Sequence, residues 1–146
     1  MQRGVSIHVA SRDTMLRPAA MTACGCRVAA DHAEITVFVN ADHAPRVLEN
    51  LSRTRVIAVN FARRSDLRAI QIKGVDARET PILPGDLDLI GAYRASFVAD
   101  MALIDFSETY SLGFIPLPND SLTAVTFTPV QAFNQTPGQH AGQPLK

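Results

Sequence analysis

Apolar and polar residues alternate along this chain in short, strand-length runs, with two departures into a longer rhythm. In "GVSIHVAS", Val5, Ile7 and Val9 share one face and Ser6, His8 and Ala10 the other, the pattern of a half-buried strand. "RPAAMTACGCRVAAD" predicts a second strand ending near Asp31. "EITVFVN" predicts a third, with Ile35, Val37 and Val39 on one face and Phe38 burying the other. The "DHA" between them suits a hairpin. "RVIAVNFA" (55–62) and "LRAIQIKGV" (67–75) predict strands four and five, antiparallel neighbours because their connection is short. "SLTAVTFTPVQAF" (121–133) is the last strand. Pro129 inside it has no N–H to give a ladder, so an edge, bend or bulge is expected there.

The departures are helical. "DHAPRVLENLSRT" has Asp42 placed to cap, Pro45 in the first turn, and Val47, Leu48 and Leu51 on one face. Later, Ile90, Tyr93, Phe97, Met101 and Ile104 recur at steps of three and four. They predict a helix from about 86 to 104, opened by Pro84-Gly85 with Asp86 as cap. "LGFIPLPND" reads as loop, and the Pro- and Gly-containing tail, 134–146, as irregular. The sum is five or six mostly antiparallel strands and two helices in a single domain, 1–146. Several strands are apolar on both faces, which fits a small closed β-barrel with helices better than a one-sided sheet.

Composition narrows the function classes. Basic and acidic side chains balance at 14 each, which argues against a dedicated nucleic-acid or anionic-membrane binder. No apolar run approaches the roughly 20 residues of a membrane span. Ser6, His8 and Ser11 interrupt the N-terminal apolar run, so it does not read as a signal peptide, and a cytoplasmic protein is expected. Charged residues are only 19%, which hints at apolar surface shared with a partner chain. The two cysteines, Cys24 and Cys26, are too few for a four-thiolate zinc site. On one strand both thiols would share a face, where a disulfide has poor geometry, so they read as reduced, packed cysteines. The chain carries no G-x-S-x-G, H-E-x-x-H or P-loop, and its four histidines are scattered without ligand spacing.

One cluster carries chemistry. Arg63, Arg64, Arg68 and Lys73 fall within eleven residues, with Ser65 among them. A solvated loop and strand end is the plain reading. A phosphate site is the other: guanidinium forks grip two oxygens, an ammonium adds a point charge, a hydroxyl adds a short donor. Ser11, Arg12 and Arg17 form a second such group. Phe61 beside Arg63 and Arg64 is the nearest approach to a base-stacking arrangement, but as a strand residue it reads first as core.

The order "SIHVASRD", "LRP", "GCRV", "EITVFV", "VLENL", "VIAVNF", "RRSDLRAIQIKG", closing on the tail "FNQTPGQHAGQPL" (133–145), resembles the pyridoxamine 5′-phosphate oxidase-like FMN-binding split-barrel family over essentially the whole chain. The tail is the most specific part. The resemblance implies a six-stranded Greek-key split barrel, a homodimer, and FMN in a cleft between subunits. It also implies a flavin-dependent oxidoreductase acting on a small-molecule redox substrate. It places Arg64, Ser65, Arg68 and Lys73 at the flavin phosphate, and Asn60, Phe61 and Gln71 beside the ring or ribityl chain. Ser11, Arg12 and Arg17 come from the same or the partner subunit, and Gln135 closes over the site. The long C-terminal Arg- and His-bearing substrate segment of true pyridoxamine phosphate oxidases is absent, which argues against that reaction here. The alternatives are a non-catalytic flavin-binding or stress-related module, a deazaflavin protein, and a haem or tetrapyrrole-binding split barrel with His8 or His140 as the iron ligand to test.

Overall fold

The computed structural model describes residues 4–43 and 45–145; residues 1–3, 44 and 146, which belong to the expected lead, first helix and tail, lie outside it. Seven antiparallel strands form one curled sheet: β1 (Val5–Arg12), β2 (Pro18–Thr22), β3 (Gly25–Val28), β4 (Ile35–Asn40), β5 (Ile57–Arg63), β6 (Ala69–Thr80) and β7 (Leu122–Asn134). Their order across the sheet is β2-β1-β5-β6-β7-β4-β3. After β4 the chain makes a long connection and returns beside β1, the return of a Greek key.

Seven strands replace the expected six because the second one is divided. The chain from Pro18 to Val28 pairs first with β1 and then with β4. The change falls between two consecutive amides: Ala23 N–H donates to Ile7 O, and Cys24 N–H donates to Phe38 O. One continuous segment thus supplies both edges of the sheet and draws them together into a barrel. The division also separates the cysteines. Both are free and buried, but Cys26 packs inside the barrel while Cys24 joins Phe38, Ile90 and Ala124 in a second cluster outside it, rather than sharing a face with Cys26.

The barrel interior is built from the expected alternation. Val5, Ile7 and Val9 of β1, Ile35, Val37 and Val39 of β4, and Ile57, Val59 and Phe61 of β5 all point inward. β6 runs on past its expected end, and its register against β7 shifts twice, between Lys73 and Gly74 and between Val75 and Arg78. Gly74 faces Pro129 across the first shift, so the predicted irregularity is a bulge. A Cβ at Gly74 would overlap the buried Phe127 ring, which is why the position has no side chain.

Helices close the remaining openings. α1 (Pro45–Thr54) plugs one side of the barrel with Val47, Leu48 and Leu51, and Ser11 Oγ donates to its Val47 carbonyl at 3.1 Å. Asp42 does not cap it. That residue sits in a 3-10 turn, Ala41–His43, where its carboxylate accepts from Ser121 Oγ at 2.5 Å and Asn119 Nδ2 at 3.1 Å. α2 (Asp86–Ala102) lays Ile90, Tyr93, Phe97 and Met101 on the core. Gly85 precedes it with φ 88°, and Asp86 is its first residue rather than its cap. The Asp86 carboxylate, 1% exposed, accepts from Leu83 N–H at 2.7 Å and pairs with Arg27 of β3. A short third helix, α3 (Glu108–Leu112), starts within the segment just before the expected loop, capped by Ser107. The tail is irregular but tied down: Asn134 N–H donates to Gln143 O, and Leu145 N–H to Ala132 O, along the edge of β7.

Candidate functional site

Alternation sends every second residue of β1, β5 and β6 outward, and the register lines them up. Thr22, His8, Asn60, Gln71 and Phe133 form one row across β2-β1-β5-β6-β7, each the cross-strand partner of the next. Ala20, Ala10, Ala58, Lys73 and Gln131 form the adjacent row. His8, Ala10, Ala58, Asn60 and Gln71 are half-buried, while Ala20 and Lys73 are exposed. The face is therefore flat in its middle, because methyl groups stand where larger side chains would project.

A hollow of about 280 Å³ opens on this face, lined by Ala10, Ser11, Arg12, Val56, Ile57, Ala58 and Lys73. It brings together two cations from strands that are not neighbours. Neither Arg12 nor Lys73 has a carboxylate partner among the described residues. Lys73 Nζ instead stands 4.7 Å from the centre of the Phe133 ring. Across β2 a second hollow of about 300 Å³ continues at Thr22, His43 and Phe114.

The expected site residues therefore divide. Arg12, Asn60, Gln71 and Lys73 share the face. Arg64 lies past the end of β5, at the hairpin tip, six residues beyond Ala58, or about 20 Å along the chain. Its charge reaches His8, whose pKa is held below the usual 6.5, first by burial and then by this guanidinium. Arg68 is about 16 Å from Lys73 along β6 and is paired with Asp66, as is Arg63. Ser65 turns away: its Oγ donates to Asp100 Oδ1 at 2.5 Å and its N–H to Oδ2 at 3.2 Å, pinning the hairpin to α2. Ser11 points toward α1, and Arg17 is paired with Asp13 in the β1-β2 turn. Phe61 is 2% exposed and belongs to the barrel interior, not to the outer face. Gln135 lies beside the start of β6, its N–H donating to Ala69 O at 2.8 Å.

Strand alternation alone grouped the cations by nearness in sequence. The register regroups them, joining Arg12 to Lys73 and parting both from Arg68. Ala10 and Ala58 are absent from the expected site residues, and His8 enters there only as a candidate iron ligand. Their place beside Arg12 and Lys73 is legible only once the strands are paired.

A larger groove, about 830 Å³, lies where β7 passes its bulge and parts from β4, between Val28, Ile35, Ile72 and Ala132. His32 and Gln131 are its polar residues, and no lysine or arginine lines it. The smaller hollow carries the cations, Arg12 and Lys73, that this groove lacks. No described helix is long and apolar enough to cross a membrane.

No protein-family model and no curated protein matches this chain. Solved structures do. An F420 reductase superposes with a TM-score of 0.57 at 13% identity, covering 90% of each chain. HupZ of Group A Streptococcus does so at 0.53 and 19%, covering 94% of this chain and 90% of its own. A pyridoxamine 5′-phosphate oxidase-related, FMN-binding protein of Nostoc punctiforme does so at 0.51 and 14%, covering 92% and 76%. The fold is thus the split barrel of the pyridoxamine 5′-phosphate oxidase-like proteins, as the sequence resemblance implies.

Proposed function

We propose that this chain is an FMN-binding, oxidoreductase-like protein whose flavin lies on the outer face of β1, β5 and β6, covered by a second copy of the chain in a homodimer. The observation that carries the reading is the pair Arg12 and Lys73, two cations without carboxylate partners among the described residues, flanking a bed of alanine methyls. Arg12 offers a fork for two phosphate oxygens and Lys73 a point charge. Asn60 and Gln71 offer amide donors and acceptors beside them. At about 280 Å³ the hollow sits at the small end of ligand sites, so one chain alone leaves a bound flavin largely uncovered, and a partner subunit supplies the other wall. Bound flavin supplies the electron chemistry, while the protein positions it, screens it from water and admits a small redox substrate.

A deazaflavin is the second reading, favoured by the superposition on an F420 reductase. The visible spectrum of the purified protein, with mass identification of what denaturation releases, separates flavin from deazaflavin. A Soret band instead would overturn both. In an FMN titration, Arg12→Ala and Lys73→Ala are each expected to weaken binding about tenfold or more, the loss of one charged phosphate contact. Unchanged affinity in the double variant removes the phosphate assignment. Turnover of a reduced nicotinamide with a dye or quinone acceptor distinguishes an enzyme from a flavin-holding module.

A further inference from the structure

His8 stands in the middle of the outer row, between Thr22 and Asn60. Its Nδ1 is engaged with Thr22 Oγ1 at 3.4 Å, and its Nε2 has no protein partner among the described residues. Among the described residues the one charge that acts on it is positive: Arg64, at the β5-β6 hairpin tip. Arg12 and Lys73 stand further along the same outer face, and β2 contributes the Thr22 hydroxyl. The acids at the hairpin tip are already bonded, Asp66 to Arg63 and Arg68, and Asp100 to Ser65. Burial first, and the Arg64 guanidinium second, disfavour the charged form of this imidazole and hold its pKa below the usual 6.5.

We propose that His8 is the residue through which this face exchanges a proton with its ligand: the unpartnered Nε2 contacts the bound flavin, and binding is accompanied by protonation of the imidazole. The inference rests on the flavin reading above. The physical reason is charge. A phosphate-bearing flavin brings negative charge onto this outer face, offsets the positive field of Arg64 that disfavours imidazolium, and offers Nε2–H an acceptor. His8 then gains a proton on binding, and by linkage the affinity rises as pH falls.

The sign and size follow directly. If bound FMN raises the His8 pKa by one unit, FMN binds about tenfold more tightly below both pKa values than above them. The test follows imidazole nuclear magnetic resonance and FMN affinity from pH 5 to 8.5 in the wild type and His8→Gln, both checked for unchanged melting temperature. The resonance absent from His8→Gln is expected to titrate below pH 6.5 without FMN and at least one unit higher with it. Wild-type affinity is expected to gain about tenfold toward low pH relative to His8→Gln, a comparison that removes the ionisation of the FMN phosphate near pH 6. If wild type and variant bind FMN with the same pH dependence, and the His8 resonance is unmoved by FMN, the inference is wrong while the flavin site stands. If the wild type binds no FMN at any pH, the flavin reading itself falls, and this inference with it.

Discussion

Gly74→Ala tests the bulge that joins β6 to β7. A methyl group there would lie closer than 3 Å to two carbons of the Phe127 ring and to the Thr128 carbonyl oxygen. Phe127 is 0% exposed, so its ring has no solvent to move into, and the carbonyl is fixed in the sheet. Gly74 itself is not in the left-handed region, so backbone freedom contributes little and the overlap decides the outcome. Inserting a methyl into a filled core costs about 1–3 kcal/mol. With three close contacts, one of them backbone, the upper end applies: about 3 kcal/mol. In a chain of this length that lowers the melting temperature by about 6–12 °C. Thermal and urea unfolding of wild type, Gly74→Ala, Phe127→Leu and the double variant form the assay. Removing the ring relieves most of the overlap, so the double variant should be more stable than the sum of the single losses by about 1 kcal/mol or more. A Gly74→Ala loss under about 0.5 kcal/mol, or strict additivity in the cycle, would refute the reasoning.

Three further outcomes follow from the same geometry. Arg27→Met leaves the Asp86 carboxylate buried without its cation and is expected to cost about 3–5 kcal/mol in urea unfolding, whereas replacing both residues by apolar ones costs much less. Ser65→Ala removes the hydroxyl from the buried Asp100 and should destabilise by about 1–3 kcal/mol while leaving FMN affinity unchanged, since Ser65 is turned away from the outer face. Burial pushes the Cys24 and Cys26 thiols up to about 11 and about 12. Both are raised above their unfolded values, so their contribution is complete below about pH 9 and is lost as pH rises toward 11 and 12. Unfolding free energy measured from pH 8 to 11 should fall, and the fall should be shallower in Cys24→Ala/Cys26→Ala.

Much of this architecture is written in alternation. Val5, Ile7 and Val9, or Ile35, Val37 and Val39, have one way to bury three branched side chains, and period two fixes which neighbours face out. The division at Ala23-Cys24 is not legible in that way, because an unbroken apolar strand carries no mark of where it changes partner. The far half of β6 is hidden for a related reason: after Gly74 its exposed residues, Asp76, Arg78 and Glu79, are those of a solvated loop, and it is pairing of Arg78, Glu79 and Thr80 with β7 that carries the strand on past the second bulge. The site was half legible. Lys73, Gln71 and Asn60 follow from outward positions on strands. The companionship of Arg12 with Lys73 depends on β5 lying between β1 and β6, a fact of topology. Ser65 was drawn into the phosphate group by its basic neighbours, but a hydroxyl beside a buried carboxylate has a stronger claim on it.

The seam at Ala23-Cys24 sets an order on folding. The β1-β2 and β3-β4 pairs are local, whereas Ile35 of β4 meets Phe127 of β7 only across most of the chain. Until that distant pairing forms, the segment 18–28 belongs to one hairpin at each end and its two edges stay apart. Closure of the barrel is therefore the late, slow event, and a chain stalled before it exposes two unpaired strand edges at once. For such a chain the hazard lies in the interval before the seam closes rather than in the finished fold, which has hidden its edges behind a single stretch of backbone.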